Sequence, residues 1–69
     1  MEITKKLGKR IRLLRKDKKL SQERLGELSN MHTNHIGAIE RGEKNVSIKS
    51  LHKITNGLEV TLEELFRNL

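Results

Sequence analysis

Ser21-Gln22-Glu23-Arg24-Leu25-Gly26-Glu27-Leu28-Ser29-Asn30-Met31-His32-Thr33-Asn34-His35-Ile36-Gly37-Ala38-Ile39-Glu40-Arg41-Gly42 decides how the rest of this chain must fold. It reads as a short helix, a tight turn and a second short helix that stops at a glycine. Ser21 is a good N-cap, because its hydroxyl can accept a hydrogen bond from an amide that the first turn leaves unpaired. Leu25 and Leu28, three apart, are expected on one face. Asn30 sits where the chain must turn and tolerates left-handed backbone. Gly26, a poor helix former, leaves room for a second backbone to approach. Ile36 and Ile39 give the second helix an apolar face, and Gly42 ends it. Two helices this short cannot bury a core between them, so other helices must pack around them.

The outer side of the second helix carries the functional signal. At about 100° of rotation per residue, the face opposite Ile36 and Ile39 holds Asn34, Gly37, Ala38 and Arg41, with Thr33 in the first turn. None is bulky and apolar, and none is acidic. Such groups can enter a DNA major groove, where Asn pairs bidentately with adenine and Ala or the Thr methyl meets a thymine methyl. Any solvated helix face is also small and polar, so this face alone leaves both readings open.

Composition narrows the choice. A chain of 69 residues is expected to be one domain, residues 1–69, near the lower size limit for unaided stability. The absence of cysteine excludes disulfides and thiolate metal sites. No apolar run approaches the roughly 18 residues of a membrane span, and no signal peptide is visible, so a cytoplasmic, nucleoid-associated protein is expected. With no proline, tryptophan or tyrosine and one Phe66, and without alternating β-branched runs, the chain is predicted to be all-α. Of the net charge of +6, residues 1–24 hold ten Lys/Arg against three acids, whereas 25–69 hold five against six. One-sided positive charge is the electrostatic footprint of a polyanion binder, although it can also be a solvated surface.

Taken in order, Ile3, Leu7, Ile11 and Leu14 form a stripe at helical spacing, which predicts a first helix over residues 4–18. Lys5, Lys6, Lys9, Arg10, Arg12 and Lys16 cover its remaining surface. A basic amphipathic helix can lie on an anionic membrane, but this stripe is narrow, lacks aromatics and is needed as core. Arg15 flanks the stripe, so on burial it needs an acidic partner. Leu20 is an apolar plug before Ser21, and Val46 is expected to tuck inward from a polar loop. Ser47 caps a fourth helix (47–58) with Leu51, Ile54 and Leu58 inward and Gly57 suited to its termination. Thr61 and Glu64 make a capping box for a last helix (61–67) with apolar Leu62, Leu65 and Phe66.

Leu-Ser-Gln-Glu near position 20, Ile-Gly-Ala-Ile-Glu-Arg-Gly ending at Gly42, the Ser-capped helix and Leu-Glu-Val-Thr-Leu-Glu-Glu-Leu-Phe together resemble the Cro/phage-repressor (xenobiotic-response-element type) helix–turn–helix regulators. The run Ile-Glu-Arg-Gly-Glu-Lys-Asn-Val-Ser also looks like the controller proteins of restriction–modification systems. The resemblance spans roughly residues 6–67. It implies a compact five-helix, lambda-repressor-like DNA-binding domain, with residues 21–42 as the helix–turn–helix. It further implies a homodimer that inserts its third helices into two half-sites of double-stranded DNA. Carried over by position, Thr33, Asn34, His35, Gly37 and Ala38 match base-reading positions or their immediate neighbours. Gln22, Arg41, Lys44, Asn45 and Ser47 match phosphate-contacting ones. Arg15 and Glu40 match a buried ion pair, and Leu62, Leu65, Phe66 and Leu69 are expected at the dimer interface. Lys19, Gly26 and Asn30 depart from the family pattern, which more often has Gly, Ala and Gly there. Gly37 and Ala38 offer little side chain for base reading, which shifts specificity to Thr33, Asn34, His35 and DNA shape.

Other chemistries find less support. His32 and His35 lie three apart, but His52 is on another helix and no Cys accompanies them, so no metal site is expected. No nucleophile signature or Gly-rich phosphate loop is present, and no enzyme, cofactor or small-molecule effector is expected. The competing reading is an antitoxin or adaptor of the same fold that works through a protein partner.

Overall fold

The computed structural model describes residues 2–69. Five helices follow one another: α1 (Glu2–Asp17), α2 (Gln22–Ser29), α3 (Thr33–Glu40), α4 (Ile48–Leu58) and α5 (Leu62–Phe66), with no strand among the described residues. α1 thus begins two residues earlier and ends one earlier than the stripe predicts.

Each boundary has a local cause. The Ser21 hydroxyl accepts from the Arg24 amide at 2.9 Å and opens α2. Asn30 adopts left-handed backbone (φ 54°) and closes it, its amide bonding back to Gly26 and Glu27. Met31 and His32 complete a turn of three residues, and the His32 ring caps α3 by accepting from the Asn34 amide at 3.1 Å. Lys19 also takes a left-handed conformation (φ 58°) just past α1. Thr61 and Glu64 form the reciprocal capping box at α5. At α4 the expectation fails: Gly57 lies inside the helix, and Glu59 is the left-handed cap (φ 58°). Gly57 serves a close approach instead, since a Cβ there would collide with the Ser29 hydroxyl and lie 3.1 Å from Leu25. α2 and α4 therefore meet at van der Waals distance.

The core comprises Leu7, Ile11, Leu25, Ile36, Ile39, Leu51, Ile54, Leu58 and Leu65, with Leu14, Leu20, Met31, Val46, Val60 and Leu69 packed around it. Burial of an apolar side chain contributes roughly 1.5–3 kcal/mol, so a core drawn from all five helices holds the short ones in place. Two of the apolar residues prove exposed: Ile3, from the α1 stripe, and Leu28, expected on one face with the fully buried Leu25, are both at 43% exposure. Leu65 corrects the expected dimer face, because it is fully buried within the subunit, while Leu62 and Phe66 stay exposed. Among the described residues, no helix is long and apolar enough to cross a membrane.

Candidate nucleic-acid interface

α3 is anchored from behind by a buried ion pair. Arg15 Nε donates to Glu40 Oε2 at 2.6 Å and Nη2 donates to Oε1 at 3.0 Å, while Nη1 donates to the Leu20 carbonyl at 2.8 Å. The two side chains are 10% and 3% exposed. This bidentate geometry satisfies both charges where water cannot. Gln22, at the first position of α2, joins them by donating from Nε2 to Glu40 Oε1 at 3.1 Å. α1, α2 and α3 are thereby cross-linked through one carboxylate. Gly8 lets α1 approach this closely, for a Cβ there would run into the carbonyl oxygens of Ile39 and Glu40.

With its inner side fixed, α3 presents its N-terminal turn outward. Asn34 is exposed, and Thr33 and His35 are half-buried. The His32 and Ser21 caps occupy one first-turn amide each and the His35 amide bonds to the His32 carbonyl at 3.0 Å, which leaves the Thr33 amide of α3 and the Gln22 and Glu23 amides of α2 without an intrahelical acceptor. A helix start of this kind favours an anion.

Gly37 and Ala38 do not lie open as the helical wheel suggests. Ala38 retains 7% exposure. Gly37 is buried beneath two side chains, with Arg41 Nη1 at 3.1 Å and Gln22 Oε1 at 3.5 Å from where its Cβ would stand. Gly37 is therefore a seat for the Arg41 guanidinium. Arg41 itself is exposed and engaged, donating from Nε to Glu43 Oε2 at 2.7 Å and from Nη2 to Oε1 at 3.2 Å. These hydrogen bonds, with the opposite charge, hold the Glu43 carboxyl below its ordinary range and raise Arg41. Glu43 is the residue that reading the sequence missed. Its spacing from Arg41 was visible, but the turn that aims the two side chains at each other was not.

Of the loop residues, Lys44 and Asn45 are exposed, whereas the Ser47 hydroxyl is occupied in capping α4, accepting from the Ser50 amide at 3.0 Å. On α1, Lys5 and Lys9 are exposed, and Lys6 pairs loosely with Glu2 at 3.7 Å. Arg10 is half-buried and donates to the Glu64 carbonyl at 2.8 Å, which ties α1 to α5.

The model of the helix–turn–helix family HTH_3 matches residues 11–65, which include the anchored α2–α3 pair and most of the core. The chain belongs to this family of Cro/C1-type helix–turn–helix regulators. Control protein C.MunI of a Mycoplasma species is 38% identical over 69 residues, covering 99% of this chain and 93% of that protein. Control protein C.SmaI of Serratia marcescens is 35% identical over 65 residues, covering 94% and 77%. Among solved structures, the restriction–modification controller protein C.AhdI from Aeromonas hydrophila superposes with a TM-score of 0.93 at 39% identity, covering 96% of this chain and all of that one. As a helix–turn–helix regulator of this type, the chain is a DNA-binding protein.

Proposed function

We propose that this chain is a controller-type transcription regulator that binds a palindromic operator as a homodimer and acts on its own gene. The observation that carries the reading is the anchoring of α3. Its inner side is locked by Arg15, Glu40 and Gln22, and its outer N-terminal turn offers Thr33, Asn34 and His35 to a groove. Asn34 would read a base through its amide, with the Thr33 methyl and the His35 ring beside it. Gly37 and Ala38 contribute by adding no bulk. Arg41, Lys44, Asn45, Gln22 and the backbone near Ser47 would contact phosphate and set register without reading sequence. Two such helices about 34 Å apart would address half-sites one turn of DNA apart. The dimer face we assign to Leu62 and Phe66, with Leu69 at its edge. On this reading the whole of residues 1–69 is one functional unit acting in the cytoplasm on the nucleoid, without cofactor or effector.

The test is a binding titration on the DNA immediately upstream of the gene against a scrambled duplex of equal length, at two salt concentrations. A preference of about a thousandfold or more supports a site-specific autoregulator. Equal binding with steep salt dependence would reduce the protein to a polyanion binder. Binding to neither duplex would favour the adaptor that acts on a protein partner.

A further inference from the structure

Arg41 stands at the C-terminal end of the recognition helix, where a phosphate contact is assigned above, yet the Nε–Nη2 edge of its guanidinium is already taken. Its guanidinium makes a two-pronged contact with the Glu43 carboxylate, at 2.7 and 3.2 Å. That is the same fork geometry in which arginine takes a phosphate. Two features distinguish this pair from an incidental surface contact. The backbone of Glu43 is held, because Gly42 turns the chain at φ +74° and the amides of Gly42 and Glu43 bond back to the Ile39 and Ala38 carbonyls, each at 3.0 Å. The guanidinium is seated as well, lying along α3 over the space that Gly37 leaves and beside the Gln22 amide.

We propose that Glu43 is an internal phosphate surrogate: it holds and positions Arg41 in the free protein, and DNA binding proceeds by exchanging that carboxylate for a backbone phosphate. The inference rests on the reading of Arg41 as a phosphate contact. The exchange is feasible because both side chains are more than half exposed, and exposed ion pairs are individually weak. It also has a consequence. After exchange the displaced carboxylate remains near the phosphates, so Glu43 lowers affinity for all DNA, and the Arg41–Glu43 pair adds no net charge to the interface.

The experiment measures DNA affinity of the full chain on the upstream and scrambled duplexes for the parent, Glu43→Gln, Glu43→Asp, Arg41→Ala and the Arg41→Ala/Glu43→Gln double variant. Glu43→Gln should bind both duplexes more tightly and steepen the salt slope by about one phosphate contact per subunit. For a dimer, its advantage over the parent should then be about tenfold larger at about 50 mM than at about 200 mM salt. Glu43→Asp should keep the parental slope. Arg41→Ala should cost several-fold more affinity in the Glu43→Gln background than in the parent, because only there is no carboxylate held on the Nε–Nη2 edge before binding.

Unchanged or weaker binding by Glu43→Gln would overturn the proposal. So would additive effects in the cycle, which would leave Glu43 only a distant charge. Both results would leave the parent's DNA binding standing. A parent that binds neither duplex would overturn the proposal together with the reading beneath it. Unchanged thermal unfolding of Glu43→Gln, expected for an exposed pair, shows that the comparison is between folded proteins.

Discussion

Asn34 and Glu43 occupy opposite ends of the proposed DNA-binding surface and make different demands on it. Asn34 is exposed, and its backbone is fixed by the His32 cap, so its amide is free to face a base edge. Asn34→Ala is expected to weaken operator binding by about 1–3 kcal/mol and relax preference at one base pair, while leaving scrambled DNA nearly unchanged. A binding series over single base-pair changes in the operator checks this, and unchanged operator affinity would remove Asn34 from base reading. Glu43 makes a pH prediction. Hydrogen bonding from Arg41 lowers its carboxyl below the ordinary value. A lowered carboxyl favours the folded state above the ordinary value, and that contribution is lost as pH falls through the lowered one. The Glu43 carboxyl resonance should therefore titrate below its usual range in the parent and return to that range in Arg41→Ala. An identical titration in the two proteins would mean the pair does not form in solution.

Among the elements, α2 and α3 were the most legible from sequence, because Ser21, Asn30 and Gly42 punctuate them with residues whose backbone or capping chemistry has few substitutes. The capping box at α5 was equally readable. What escaped was whatever depends on a neighbour distant in sequence. Gly57 looks like a terminator but is a contact point for Ser29, and Glu59, an unexpected residue for left-handed backbone, does the terminating. Leu65 looks like an interface residue beside Leu62 and Phe66, and only the packing of α5 against α1 and α4 shows which of the three is core. In the site, the wheel places Gly37 in the open because it cannot include the side chains of Gln22 and Arg41 that lie over it, and it places Ala38 there although that residue is buried. The Arg15–Glu40 link tests how strongly α1 steadies α3. Arg15→Met strands a carboxylate that is nearly out of contact with water, and should lower unfolding stability by about 3–5 kcal/mol. Arg15→Met/Glu40→Leu removes both charges and should recover most of that loss. Urea denaturation of both variants checks this, and a double variant as unstable as the single one would show that the pair contributes more than mutual neutralisation.

For the whole molecule, the proposed dimer turns on α5, where the burial of Leu65 decides which residues can form its face. Removing α5 would take away a residue with no exposed surface, along with the Arg10 anchor on the Glu64 carbonyl. Such a truncation tests folding and assembly together and cannot separate them. Leu62 and Phe66 can be changed alone, since they stand four apart on the outer side of α5 and are 45% and 39% exposed. Phe66 and Ile3 also line one apolar groove with Leu7, Val46 and Leu51, which extends the apolar surface from α5 toward α1. Covering each such side chain contributes on the order of 1 kcal/mol, and twofold symmetry doubles every contribution. Leu62→Lys/Phe66→Lys keeps Leu65 and the Thr61–Glu64 capping box, so its helical content and unfolding transition should stay close to the parent's. It should sediment as a monomer where the parent sediments as a dimer. On a two-half-site operator its binding should become independent at each half-site, because nothing then links the two recognition helices. If the variant still sediments as a dimer, the subunits meet elsewhere, and Ile48, at 77% exposure the most open large apolar side chain among the described residues, becomes the next position to change.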